Sequence, residues 1–206
     1  MIAYLRMKGY PGKTSLVFLG LALSVVAPLQ AKQQAPSEKT ADISWPAFVP
    51  SQKHGQTATP TPIETFREEF SQLAQADPNF EHVDEAYLPV HHGWFLKFID
   101  WYLEAIRSAG IAYEVDVWDC DNFALGLSSF ANLAAAQAGF YQKNALVGWF
   151  TVHNVETWAG VPPHTNHALV LFQSEKGIFV VEPQNGKIIK LNHYPNAAYI
   201  KDVYLP

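Results

Sequence analysis

The spacing of apolar residues changes once along the chain, and this change constrains the fold more than any other feature. Between Pro62 and Gly139 apolar side chains recur every three or four residues, which predicts three amphipathic helices. After residue 144 the period becomes two, which predicts strands. The expected helices span 62 to 76, 89 to 108 and 121 to 139, and the expected strands span 145 to 153, 168 to 172, 177 to 182, 187 to 191 and 199 to 204. Helices followed by a meander of strands predict an α+β fold with the helices packed on an antiparallel sheet.

The first 31 residues have the composition of a secretory signal peptide. Arg6, Lys8 and Lys13 precede an apolar run at 16 to 27, and the small residue Ala31 follows it. The run is shorter than the roughly 20 residues that a membrane-spanning helix needs. We therefore expect cleavage near Ala31, a periplasmic or secreted protein, and no membrane anchor after cleavage.

Residues 32 to 61 are rich in Gln, Ala, Pro, Ser, Thr and Lys, which predicts a flexible linker before one folded domain at 62 to 206. Without the predicted signal peptide, the chain has 11 basic and 19 acidic residues. This acidic balance argues against nucleic acid as a partner.

The chain contains one cysteine, Cys120, which cannot form an internal disulfide. It is interpreted either as a small buried hydrophobic residue or as a nucleophile; an oxidant-sensing thiol is a third alternative. The sequence Trp-Asp-Cys-Asp-Asn-Phe-Ala at 118 to 124 puts it at the start of the third helix, where unpaired backbone N–H groups favour a thiolate. Asp119 and Asp121 are interpreted as helix caps. Because both are acidic, the thiolate still needs a cationic partner.

His167 and Glu182 are the candidates that complete this chemistry. His167 opens one predicted strand, Glu182 closes the next, and the turn sequence at 174 to 177 joins the two strands. Each residue is seven or eight positions from the turn centre, so the two should lie close together. We expect the Glu182 carboxylate to hold His167 Nδ1–H and to leave Nε2 facing the thiol. This is the arrangement of nucleophile, base and orienting group in covalent acyl transfer.

Three short motifs occur in this order: Trp-Asp-Cys-Asp-Asn-Phe-Ala at 118 to 124, Asn-His-Ala at 166 to 168 and Val-Glu-Pro-Gln at 181 to 184. Together they resemble papain-like and transglutaminase-like cysteine enzymes. Over about residues 85 to 190 the chain is most similar to the papain-like C-terminal domain of fungal agglutinins and related bacterial proteins. The resemblance implies that Cys120 is the nucleophile, His167 the base and Glu182 the orienting residue. It implies a cysteine hydrolase or acyl transferase acting on a peptide or other amide.

The chain departs from papain around the cysteine. The Gly-Ser-Cys-Trp type of motif is absent, and Glu114 lies in the region where papain has a glutamine. The oxyanion donors are therefore expected to be the Cys120 N–H together with either the Trp118 indole or the Gln184 side chain. The alternative to an enzyme is a non-catalytic binding module of the same fold. Its ligand cleft would be lined by Tyr141, Trp149, Phe150 and Trp158.

Two groups of residues were considered as metal sites. Asp116, Asp119 and Asp121 cluster in sequence, and the related agglutinin domains need Ca²⁺, but no glycine-containing calcium loop is present. His153, His164 and His167 have a spacing that indicates a metal only weakly. We expect no metal and no cofactor, with Ca²⁺ retained as the alternative.

Overall fold

The computed structural model describes residues 59 to 115, 118 to 138 and 143 to 206. The predicted signal peptide and all of the predicted linker up to residue 58 lie outside the described residues. The helices are α1 (Ile63–Ala74), α2 (His92–Ser108) and α3 (Cys120–Gln137), with short 3-10 helices at Leu191–His193 and Ala197–Tyr199. The strands are β1 (Thr61–Pro62), β2 (Asn79–His82), β3 (Ala86–Tyr87), β4 (Val147–His153), β5 (Asn166–Ser174), β6 (Gly177–Val181), β7 (Ile188–Lys190) and β8 (Ile200–Leu205). The predicted α+β class is confirmed.

The first two helices follow the predicted pattern. Helix α1 starts directly after Pro62 and ends where Gln75 adopts a left-handed conformation, with φ of 54°. Helix α2 starts at His92 rather than near Pro89 because His91 is its N-cap, and the His91 side chain accepts a hydrogen bond from Trp94 N–H. The aromatic and aliphatic stripe predicted for α2 is buried in the core.

Helix α3 packs on most of the face that its apolar spacing predicts, which consists of Phe123, Leu127, Phe130, Leu133 and Ala134. Phe123, Leu127 and Ala134 are buried, whereas Phe130 and Leu133 are 36% and 63% exposed. Ala124, Ser128, Ala131 and Ala135 complete the buried face. Small residues let the helix backbone lie close to the sheet, and this close packing outweighs the burial of two larger side chains.

The main sheet has the strand order β2-β8-β4-β5-β6-β7, and β1 and β3 form a separate antiparallel pair. All pairs in the main sheet are antiparallel except β2 with β8. The sheet is therefore mixed, with four antiparallel pairs as predicted and one parallel pair that the sequence did not predict. The parallel partner β2 comes from a segment in which no strand was predicted.

The sheet is covered on both faces. Along β5, Ala168, Val170 and Phe172 pack in the cluster that contains the α2 and α3 side chains. Leu169 and Leu171 pack in the other cluster, with the side chains of α1. This alternation is the period of two expected of a strand, and it makes β5 buried on both faces. His167, the second residue of β5, therefore lies at the N-terminal end of a buried strand. Within the described residues, no helix combines the length and the apolarity needed to cross a membrane.

Candidate active site

His167 and Glu182 are in direct contact. Strands β5 and β6 form a hairpin in which Val170 pairs with Val181, so Glu182 follows the last pair and His167 lies three residues before it. The two side chains lie on a diagonal across neighbouring strands, a distance that long side chains bridge. His167 Nε2 is 2.7 Å from Glu182 Oε2, and the side chains are 7% and 1% exposed. The pairing of β5 with β6 across the turn at 174 to 177 therefore produces the contact that the sequence predicts.

The ring nitrogen that makes the contact differs from the one predicted. Glu182 holds Nε2 of His167, not Nδ1. Nε2 is farther from the histidine backbone, so it is the atom that reaches the adjacent strand. The imidazole has two nitrogens, so Nδ1 is the one left free of the Glu182 contact.

The carboxylate of Glu182 is held on both oxygens. Oε1 accepts a hydrogen bond of 3.2 Å from the Gln184 N–H, and Oε2 faces the imidazole. The main chain of Glu182 bonds with Lys187 and Gly186 in the turn after β6. A buried carboxylate is costly unless it is paired and hydrogen-bonded, and here both conditions are met. The turn therefore fixes the orientation of Glu182, and Glu182 fixes the ring of His167.

The charge state of His167 follows from its surroundings. Burial on its own would lower the pKa of His167. Hydrogen bonds with Cys120 and Glu182, and the negative charges of these two groups, outweigh burial and raise the pKa to about 9. His167 is therefore an imidazolium at neutral pH, which is the cationic partner that a thiolate at Cys120 requires.

Cys120 is the first residue of α3 and is partly buried beside the core. Its thiol is one of the two groups that raise the pKa of His167, so it is a neighbour of the His167 ring. Its backbone N–H is one of the helix N-terminal donors that lack a partner within the helix. The N-terminus of α3, the Cys120 thiol and the His167 imidazole are thus neighbours.

The acids on either side of Cys120 behave differently from the prediction. Asp119 is the N-cap residue of α3, but its side chain makes no capping hydrogen bond. A hydrogen bond with Asp121 raises the pKa of Asp119, and desolvation and the Asp121 charge raise it further. Asp121 Oδ1 accepts a hydrogen bond from the Asn122 N–H. The two carboxyls therefore interact with each other, and neither is shown to cap the helix end beside the thiol.

The two predicted oxyanion donors lie in different surroundings. The Trp118 indole is edge-on to Phe123, with ring centroids 5.8 Å apart, and its Nε1 is buried with no hydrogen-bond partner among the described residues. Gln184 uses its backbone N–H to hold Glu182, and its side chain lines a cavity that Phe123 also lines. Trp118 is the stronger candidate because it has a buried donor available for an acceptor.

A pair of buried asparagines, which the sequence did not reveal, holds the loop that leads into His167. Asn196 Oδ1 accepts hydrogen bonds of 2.9 and 2.8 Å from the N–H groups of Val155 and Glu156. Asn196 Nδ2 donates to Asn154 Oδ1 over 3.1 Å. Asn154 in turn is bonded through its main chain to His164 and Thr165. These bonds fix both ends of the loop between β4 and β5, and so they fix the start of the strand that carries His167.

The two groups that are alternatives for a metal site are, taken together, only partly described by the structure. In the part of the chain that the structure describes, no group of three or more His, Cys, Asp or Glu side chains is placed to hold a metal ion. His153 Nδ1 lies 3.1 Å from Asn166 Oδ1, and His164 lies in the loop with φ of 60°. Asp116, the third member of the considered calcium group, lies outside the described residues.

Of the aromatic residues predicted to line a ligand cleft, the three that the structure describes lie in different surroundings. Phe150 is fully buried. Trp149 stacks on Tyr204 and packs on the α2 and α3 side, whereas Trp158 contacts Tyr194 on the α1 side. Neighbouring strand residues point to opposite faces, which separates Trp149 from Phe150. Tyr141 lies outside the described residues.

Comparison with known proteins identifies a shared fold. No family model and no curated protein matches the chain. Among solved structures, it is similar to the Polyporus squamosus lectin bound to a human-type influenza-binding epitope, Neu5Aca2-6Galb1-4GlcNAc, with a TM-score of 0.54 and 15% identity. That similarity covers 70% of this chain and 49% of the lectin chain. A structure described as a PSL1a-E64 complex gives a TM-score of 0.53 and 14% identity, covering 70% and 50%.

These neighbours define a fold rather than an activity, because identity at this level shows the fold alone. The chain has the α+β fold found in part of a fungal agglutinin, and it spans about half the length of the lectin chains that it matches. This agrees at the level of the fold with the resemblance to fungal agglutinins seen in the sequence.

Proposed function

We propose that the protein is a cysteine hydrolase or acyl transferase that cleaves a peptide or other amide bond with Cys120 as nucleophile. The observation that carries the proposal is the position of His167. It lies between a thiol and a buried carboxylate, and these two partners raise its pKa to about 9. A histidine serving only the core would not need both an acid and a thiol at its two nitrogens.

The proposed reaction proceeds through a thioester. The thiolate of Cys120 attacks the carbonyl carbon of the amide, and the His167 imidazolium gives its proton to the leaving nitrogen as the C–N bond breaks. The free amine leaves, and the acyl group remains on the sulfur. His167, now neutral, takes a proton from water or from an acceptor amine, which attacks the thioester and releases the acid or the new amide. Glu182 keeps the ring oriented and stabilises its charged form.

The negative oxygen that forms during each attack needs donors. The Cys120 N–H at the start of α3 is one, and its position at the positive end of the helix favours an anion. The Trp118 indole N–H is proposed as the second. Removing one such donor typically slows an acyl transfer by roughly 100- to 1,000-fold.

A binding module without catalysis is the second candidate, and the structural neighbours taken alone favour it. One neighbour is a lectin described with a bound sialylated trisaccharide. If this chain has the same role, it should bind a glycan whether or not Cys120 is intact. Titration calorimetry of the Cys120→Ala variant with that trisaccharide separates the two candidates. Binding by a protein that cuts no peptide library would support the module.

Alkylation of Cys120 tests the proposed enzyme directly. The protein has a single thiol, so iodoacetamide or E64, an epoxide that alkylates thiolates, can modify it at one cysteine only. We expect iodoacetamide to label Cys120 at pH 6 faster than it labels free cysteine at the same pH, because a neighbouring imidazolium favours the reactive thiolate. His167→Ala should slow it at least tenfold at that pH, and Cys120→Ala should remove it.

His193→Ala is the matched control, because His193 is exposed on a 3-10 helix. It should label at the wild-type rate. Equal labelling of wild type and His167→Ala at pH 6 would contradict the proposed pairing of thiolate and imidazolium.

We also propose that the chain is exported and cleaved near Ala31. The basic region at 6 to 13, the apolar run at 16 to 27 and the small residue Ala31 support this. Mass spectrometry of protein from its native source should show an N-terminus near Lys32. A soluble form that keeps Met1 would contradict export.

A further inference from the structure

A cavity of about 230 Å³ opens between α2 and the start of α3. Its apolar lining consists of Leu103, Ile106, Ile111 and Phe123. Arg107, Ala112, Tyr113 and Gln184 also line it, and the Arg107 guanidinium is paired with Glu104. An engineered apolar cavity of about 150 Å³ is enough to bind benzene, so this space can receive a side chain as large as leucine or phenylalanine. None of the steps proposed above uses it.

Two of the lining residues connect the cavity to the proposed nucleophile. Phe123 lies three residues after Cys120 on α3, and side chains at this spacing are neighbours on one helix face, about 5 to 6 Å apart. Gln184 lies two residues after Glu182, and its N–H is bonded to the Glu182 carboxylate. Successive Cα atoms of a peptide are about 3.8 Å apart. When the scissile bond is held at the sulfur, a substrate residue one or two positions away can therefore place its side chain in the cavity.

The position of Gln184 also indicates which side of the bond the cavity serves. Gln184 belongs to the turn that holds Glu182, and Glu182 holds His167. His167 gives its proton to the leaving amine, so the amine must lie beside His167. A cavity lined by this turn thus lies on the amine side of the sulfur.

From this geometry, and resting on the proposed function, we infer that the substrates are peptides with a large apolar residue directly after the scissile bond. Its side chain would enter the cavity and displace water from Leu103, Ile106 and Phe123. Burial of such a side chain favours it over glycine or a charged residue by tenfold or more.

The test is a cleavage-site profile of a diverse synthetic peptide library, read by mass spectrometry. With the wild-type protein, Leu, Ile or Phe should be enriched at least tenfold over Gly and Asp at the first position after the cut. Ala112→Trp is the test variant, because Ala112 is an exposed residue that lines the cavity. It should remove the enrichment while E64 still labels Cys120 within twofold of the wild-type rate.

Ala198→Trp is the matched control, because Ala198 is also exposed but does not line the cavity. It should keep the wild-type profile. A library that is cut with no apolar preference at this position, or a preference that survives Ala112→Trp, would overturn the inference and leave the proposed function standing. A library left uncut by a protein whose thiol also fails to react would overturn both.

Discussion

His167 Nε2 and Glu182 Oε2 lie 2.7 Å apart, with 7% and 1% of their side chains exposed. Few ion pairs are so fully removed from water, and neither partner can be lost without leaving the other uncompensated. The carboxylate has a second donor in Gln184 N–H. Loss of either partner should therefore destabilise the fold, and the intact pair constrains the orientation of the imidazole.

Replacing Glu182 should lower activity, and the loss should be smaller with glutamine than with alanine. Glutamine has one oxygen where glutamate has two, so it can accept from only one of its two donors, His167 or Gln184, and it does not stabilise the imidazolium. We expect Glu182→Gln to lower kcat/KM by at least about tenfold, and Glu182→Ala to lower it further because both donors lose their acceptor. Peptide cleavage rates would measure this, with the exposed Glu85→Gln as control. Equal rates for wild type and Glu182→Gln would show that the carboxylate charge does not support the base.

The stability of the protein should fall as the solution becomes alkaline. The pKa of His167 is about 9 in the folded protein and 6.5 in its ordinary state. Because the folded value is raised, the stabilisation is complete below about pH 6.5 and disappears as the pH rises through 9. Between pH 6 and pH 9.5 the free energy of unfolding should decrease by on the order of 1 to 3 kcal/mol.

Urea unfolding at the two pH values measures this decrease. The decrease should be smaller in Glu182→Gln, which removes one of the charges that raise the pKa of His167. It should be smallest in His167→Gln, which has no group left to titrate at this position. The same decrease in wild type and His167→Gln would assign the pH dependence to other groups.

The buried Asn196 should matter for both stability and catalysis. Asn196 is 0% exposed, and its Oδ1 is the acceptor for two backbone N–H groups in the loop before His167. Asn196→Ala leaves both donors unpaired, which should cost about 2 to 4 kcal/mol of unfolding free energy. It should also lower kcat for peptide cleavage, because the loop sets the start of β5.

The exposed Asn192→Ala is the control, and its effect should stay within about 0.5 kcal/mol. Thermal unfolding and peptide cleavage measure the two effects separately. If Asn196→Ala lost stability but kept full activity at a temperature where it is folded, Asn196 would have no positioning role.

The sequence predicts where the helices and strands lie better than it predicts which distant segments pair with one another. The apolar period located all three helices and the five strands from β4 to β8, because burial of one face or both dictates that period. The turn at 174 to 177 fixes the hairpin register, which is why the contact of His167 with Glu182 was predictable. These features depend on local sequence.

The features that escaped prediction depend on distant residues. Strand β2 is mostly exposed and lacks an apolar alternation, and it exists because β8, more than a hundred residues later, pairs with it. Asn154 and Asn196 look like ordinary loop residues until the fold brings them together. The nitrogen of His167 that faces Glu182 depends on the reach of the ring across two strands, which spacing alone does not define.

The last prediction concerns the packing of β4 against β8, which supports the sheet under the site. A Cβ atom at Gly148 would lie 2.3 Å from the backbone oxygen of Tyr204 and 2.6 Å from Leu205 Cδ2. The backbone oxygen belongs to the paired strand and cannot move without breaking the ladder. We therefore expect Gly148→Ala to destabilise the protein by on the order of 2 to 4 kcal/mol, as overpacking against a rigid neighbour does.

Gly93→Ala is the matched control for that change. Gly93 lies in the first turn of α2, and its added Cβ would be 3.5 Å from the nearest atom, in His91, which is an ordinary contact. Alanine is the better helix former, so this variant should be neutral or more stable by up to about 1 kcal/mol. Urea unfolding of both variants beside wild type measures the difference. If Gly148→Ala were as stable as Gly93→Ala, the close approach of β4 and β8 at Gly148 would be wrong, and with it the register of β8 against the strand next to β5.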